Sequence, residues 1–335
     1  MLKLLVCLSV CFLLVFTACG DNSAGPSDPQ PPDDFPGKKA DSWMAPSGSG
    51  SSQIFNLQSP SGNSDRVYFW LSEMTAGSYD KLVCYANGYT QSSPEFPRGS
   101  ASHYAVIPQT GEVIYSSYSE GSGTTVVLAT ADLLTQTEFT TSETVTGFIP
   151  MLGGDKILMC RDVNAVVLQL PSLARVDTVL CMVSRGFSVE GHGTYGYSDN
   201  MILKFDPVTC QITRNALTGS ECRPVISGDG KLHLMKDGML TILNANDLTM
   251  VESMATPSSS IFALHPVGNS VFLYTVSTGN TIDIFDLAEL SWKGTVDGLT
   301  LVNPLLELIS HPGRNELWGL TVNAQNRYEV FKVAP

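Results

Sequence analysis

The stretch Ile261-Phe262-Ala263-Leu264-His265-Pro266-Val267-Gly268-Asn269 has a near copy earlier in the chain. There Ile54-Phe55-Asn56-Leu57 precedes Ser61-Gly62-Asn63. In both, a short apolar run leads into a glycine turn, and an aromatic or β-branched run follows. That combination reads as two antiparallel strands around a tight turn. A search for further copies finds the same turn at Gly111, Gly154, Gly193, Gly230 and Gly313. From Gly62 onward the spacings are 49, 43, 39, 37, 38 and 45 residues, with a mean of about 42. A period of that size marks a repeat architecture.

Each turn is followed by a strand: Arg66 to Leu71, Glu112 to Tyr118, Lys156 to Cys160, Thr194 to Tyr197, Lys231 to Met235, Ser270 to Val276 and Glu316 to Val322. A second strand follows each of these, from Asp80 to Tyr85 in the first unit to Tyr328 to Val333 in the last. Several then turn sharply at an aspartate (Asp132, Asp206, Asp247, Asp286) whose carboxylate can accept from backbone two residues on. Their recurrence marks turn chemistry rather than a calcium cage. No 3.6-residue periodicity persists, so the fold class is all-β. Four short antiparallel strands per unit point to a single β-propeller over residues 53–335, with seven blades preferred and six to eight admissible. The last unit ends at Pro335 after its third strand. Its fourth must come from elsewhere, and Lys39 to Pro46 is the upstream candidate despite weak strand propensity.

His265-Pro266-Val267-Gly268, His311-Pro312-Gly313 and Ser227-Gly228-Asp229-Gly230-Lys231 resemble the turns of YVTN-type propeller repeats, which are related to WD40-like and lactonase-type propellers. Val189-Glu190-Gly191-His192-Gly193 departs from the pattern. The resemblance implies that a ligand would meet the protein at the central channel.

Ahead of the repeats, Lys3 precedes an apolar run from Leu4 to Phe16, long enough for a signal peptide but short of a membrane span. Phe16-Thr17-Ala18-Cys19-Gly20 resembles a bacterial lipobox, which implies a signal peptide at residues 1–18 and a diacylglyceryl group on Cys19. An ordinary secretory signal cleaved elsewhere is the alternative. Residues 19–52 are rich in Pro, Gly, Ser and Asp and read as a tether. The implied location is the cell envelope, lipid-anchored. Gly20 after the cysteine favours the outer membrane, with the periplasmic or outward-facing side left open.

A net charge of −13 argues against nucleic-acid binding. Removing the signal and the lipidated residue leaves Cys84, Cys160, Cys181, Cys210 and Cys222, read as mostly buried thiols with room for one disulfide. No spacing is C-x-x-C, and no G-x-S-x-G, H-E-x-x-H or phosphate-binding loop occurs. No catalytic residue, metal or cofactor is assigned. His192, His265 and His311 occupy equivalent turns spread around a ring, so they read as structural, and His233 reads as a strand residue.

The connections that ring the channel supply the candidate ligand-binding set: Arg98, His103, Arg185, Glu221 and Arg223. The favoured function is a non-enzymatic binding or scaffold module for a protein, peptide or glycan partner in the envelope. The alternative is a lactonase-like or quinoprotein-like enzyme with its site in the central funnel, carried by fold analogy.

Overall fold

The computed structural model describes residues 35–335, apart from 46–51, 61–63, 74–77, 184, 199, 218–222, 237, 259–260 and 278–279. The signal sequence, Cys19, most of the tether, the Gly62 turn, Glu221 and Cys222 therefore lie outside the described residues. The described chain is one unit of seven antiparallel sheets, each of four strands except the first, which carries a fifth short segment.

Blade 1 runs Gln53–Gln58, Val67–Glu73, Tyr79–Ala86 and Tyr89–Ser92, with Phe96–Pro97 as its extra segment. The first strands of blades 2 to 7 are Ala101–Val106, Gly147–Pro150, Arg185–Val189, Val225–Ile226, Ile261–Val267 and Glu307–His311. These first strands are innermost, and those of blades 2 and 3, 3 and 4, 5 and 6, 6 and 7, and 7 and 1 touch one another. Second strands such as Val67–Glu73 are buried along their whole length, because a blade presents both faces to its neighbours.

The core divides into seven apolar clusters, and each spans one pair of adjacent blades. Leu308 and Phe331 of blade 7 pack on Tyr274 and Ile284 of blade 6, while Trp318 and Leu320 pack on Phe69 and Val83 of blade 1. Seven sheets with seven shared cores form a closed ring, so no blade leaves an apolar face in water.

Closure moves the boundary drawn at residue 52. Lys38–Met44 is the outer strand of blade 7, paired antiparallel with Tyr328–Ala334 in a register from Lys38↔Ala334 to Met44↔Glu329. Its side chains alternate between exposed and half-buried, the period of a strand with one covered face. Trp43, on the covered face, packs its ring 5.1 Å from Phe69. The strand is anchored upstream as well: Phe35 stacks on Phe272 at 4.9 Å, and the Tyr274 hydroxyl donates to the Pro36 carbonyl at 2.7 Å. The chain thus reaches the propeller at its rim, between blades 6 and 7.

The turns between third and fourth strands share one backbone device. Leu133, Leu173, Cys210, Leu248 and Leu290 all take φ between 52° and 62°. A left-handed residue is unfavourable without a glycine, and in blades 4, 5 and 6 an Asp side chain offsets the cost by fixing the turn. Asp206 Oδ1 accepts from the amides of Val208 (3.0 Å) and Thr209 (2.7 Å), and Asp247 Oδ1 accepts from Thr249 (3.0 Å). Asp132 differs, pairing with Arg66 at 2.7 Å. Cys210 occupies the position held by Leu133, Leu173 and Leu248 in blades 2, 3 and 5, and like them it is buried, as a small apolar side chain.

Candidate functional site

Inner strands all start on one side of the disc, which we call the mouth face. The connections from one blade to the next and the turns between second and third strands lie on it too. The glycine turns lie on the other side. This geometry separates the histidines from the channel candidates.

His265 is fully buried, with Nδ1 2.8 Å from Ser310 Oγ and Nε2 2.9 Å from Asn315 Oδ1, so blade 6 is bonded to blade 7. His311 carries the same position one blade on, with Nε2 2.6 Å from the Ser64 carbonyl of blade 1. Burial holds His265 down at about 4, so it is a neutral hydrogen-bonding linker. His192 also sits in its turn, its carbonyl accepting from the Tyr195 hydroxyl at 3.1 Å.

His233 lies in Lys231–Lys236 beside Ser227 and Asp229, an array with the composition of a nucleophilic triad. The connectivity is wrong for one. Ser227 Oγ lies 3.1 Å from His233 Nε2 but donates to Asp229 Oδ1 at 2.6 Å, and Ser227 is only 1% exposed. A nucleophile needs its base oriented by the third group and needs access to substrate. Burial also pushes His233 down to about 4. Among the described residues no group of three His, Cys, Asp or Glu could hold a metal ion.

On the mouth face the candidates separate into two groups. His103 is half-buried in the first strand of blade 2, and its pKa is lowered first by burial and then by the charge of Arg185. Arg185 opens the first strand of blade 4 and is exposed. Arg223, just ahead of the blade 5 inner strand, reaches across the ring. Its guanidinium donates to the Leu57 carbonyl of blade 1 and lies 3.2 Å from Glu307 Oε1 of blade 7, while Glu307 Oε2 accepts the Leu57 amide at 2.9 Å. Tyr104 lies close by, its hydroxyl donating to the Tyr68 carbonyl at 2.7 Å and pushed well above its ordinary pKa, chiefly by burial. Arg98 is exposed on the connection from blade 1 to blade 2. No described bond joins it to the others.

Sequence reasoning missed Glu307. It opens the inner strand of blade 7, so the rule that selected Arg185 would also have selected it. It missed as well the apolar side chains on the mouth face. Val163, Leu180, Met182, Leu217 and Met239 are all exposed there, Leu180 at 78% and Leu217 at 91%, on loops or strand ends of blades 3, 4 and 5.

Neither a protein family nor a curated protein matches the sequence. Solved structures do. The β-propeller domain of Cps50 (Swd1) from Myceliophteria thermophila is 11% identical, with 89% of this chain and 100% of that one covered and a TM-score of 0.59. A chain of a mitotic checkpoint complex is also 11% identical, with 96% and 99% covered and a TM-score of 0.63. BamB from Moraxella catarrhalis is 13% identical, with 88% and 97% covered and a TM-score of 0.52. At these identities the likeness is one of fold, and it agrees with the seven-sheet ring.

Proposed function

We propose that the chain is an envelope-tethered, non-enzymatic propeller that binds a protein or peptide partner on its mouth face. One observation carries this reading: Leu180 and Met182 are exposed on the connection that leads into Arg185, itself exposed, and Val163, Leu217 and Met239 are exposed on the same face of blades 3, 4 and 5. A cation amid large exposed apolar side chains is the composition of an interface core, and single scattered leucines are not. Arg223 and Glu307 serve this surface as a strut, holding the strands that open onto the channel.

Tethering is supported by the apolar run at Leu4 to Phe16 and by Cys19 in its lipobox-like setting. With a lipid on Cys19, the chain would leave the membrane, pass through the Pro-rich segment and enter the ring at its edge near Phe35. That route leaves both faces open. Outer-membrane placement and a YVTN-type ancestry for the repeats belong to the same reading.

The test is site-specific photo-cross-linking of the full-length protein in intact cells. A photoreactive residue at Met182 should give a discrete adduct, absent when the probe sits at Leu290 on the opposite side. Equal labelling from both positions, or none from either, contradicts the proposal. Replacing Cys19 by Ala should release the protein from membranes, and retention of the variant would contradict the lipid anchor.

A further inference from the structure

The sevenfold pattern breaks at one place on the rim. The fourth strand of blade 1, Tyr89–Ser92, has four residues where the others have five to seven. The chain then bulges at Ser93 to Glu95 and resumes in the same direction as Phe96–Pro97, opposite Asp80 and Tyr79. Pro94 has no amide hydrogen for the ladder, so the outer strand is interrupted at this point before it resumes. Beside this interruption a cavity of about 260 Å³ opens between the two blades, with Pro94, Phe96 and Pro97 on one side of it.

Its walls are built, not incidental. Phe96 is held edge-on to Trp70 at 6.4 Å and to Tyr115 at 5.9 Å. Facing it, Ser117 pairs with Thr125 and Tyr115 with Val127, so these four side chains share one face of the blade 2 sheet. Glu138, exposed and opposite Val127 on the outer strand, closes the set.

The chemistry of this lining is selective. It holds an aromatic surface, several hydroxyls and one carboxylate, with no Lys, Arg or His. A phosphate or acidic ligand would meet Glu138 without a compensating cation. A proline-rich segment offers acceptors almost alone and would leave the carboxylate unmatched. A neutral sugar ring satisfies all three features: its C–H face lies on an aromatic ring, and its hydroxyls donate to Glu138 while exchanging bonds with Ser117 and Thr125. Drug-sized sites run to roughly 300–1,000 Å³, so the cavity suits one ring at a chain end. We propose that this rim cavity is a subsite for a neutral saccharide, separate from the mouth face.

Saturation-transfer NMR on the full chain tests it, with glucose, galactose, N-acetylglucosamine and their linear trimers as probes. At least one should bind saturably, and Glu138→Gln and Thr125→Val should each weaken it about tenfold or more with unchanged thermal unfolding. Because both side chains lie at the cavity edge, neither variant threatens the fold. The proposal is overturned if no probe binds, if the bound probe is indifferent to both variants, or if a hexaproline peptide competes it away.

Discussion

Lys39 Nζ and Glu329 Oε1 meet at 2.6 Å although 290 residues separate them in the chain. The pair sits where the first described strand is laid along the last, and it marks how the ring is locked. The first and last described strands share one sheet, so opening the ring requires stripping an outer strand and exposing the apolar face beneath it.

Most of that lock should lie in packing rather than charge. Trp43→Ala removes a ring packed on Phe69 at 5.1 Å and Tyr85 at 6.5 Å, and should cost about 2–3 kcal/mol in urea unfolding. Lys39→Ala should cost less than about 1 kcal/mol, as is usual for a pair that solvent still reaches. A larger loss from Lys39 than from Trp43 would reverse this assignment.

The buried histidines make stability depend on pH in a definite direction. His265 and His233 are held at about 4 in the folded protein, against about 6.5 in an unfolded chain. Above about 6.5 both states are neutral and neither gains. As pH falls from 6.5 toward 4 the unfolded chain takes up protons that the folded one refuses, so stability drops. For His265 the loss approaches about 3 kcal/mol near pH 4. His265→Gln, which cannot titrate, should flatten the stability profile between pH 7 and 4.5 in denaturant titrations. An unchanged slope would show that His265 is not buried neutral.

Glu307 does two jobs with its two oxygens, and isosteric substitution separates them. Glu307→Ala leaves the Leu57 amide without its acceptor and should cost about 1–3 kcal/mol. Glu307→Gln keeps an acceptor for Leu57 while removing the charge facing Arg223, and should cost less than half as much. Equal losses in the two variants, measured by thermal unfolding, would mean that the ion pair dominates.

Cys84, Cys160, Cys181 and Cys210 are free and buried. Burial pushes the Cys84 thiol up to about 11 and raises the other three as well. Since the thiolate is the reactive form, peptide-level mass spectrometry should find all four unalkylated after iodoacetamide treatment of the native protein and modified after unfolding in urea. Rapid native labelling of any of them would place that thiol outside the core.

The blades were legible because glycine turns and β-branched runs are local signals. Lys156–Cys160, Ser270–Val276 and Glu316–Val322 have the ends that the sequence suggests. The closing strand was harder to read. Lys38–Met44 buries only half of each alternate side chain and is flanked by Pro, Gly and Ser, so its strand character comes from its partner rather than from itself. The struts across the channel left no local trace, because Arg223 and Glu307 are 84 residues apart and meet only once the ring has formed. The rim cavity was invisible for a related reason: it lies beside an interruption in the outer strand at Ser93 to Glu95, and Phe96 meets Tyr115 only once the two blades are packed.

The closed ring itself is tested most directly by joining its ends. Met44 and Glu329 are register partners across the first and last strands, a separation that a disulfide can span. The double variant Met44→Cys, Glu329→Cys should oxidise within one chain, give a faster-migrating monomer without reductant, and unfold at higher denaturant than its reduced form. Failure to form that intramolecular bond, or its appearance only between chains, would contradict a propeller locked by its N-terminal strand.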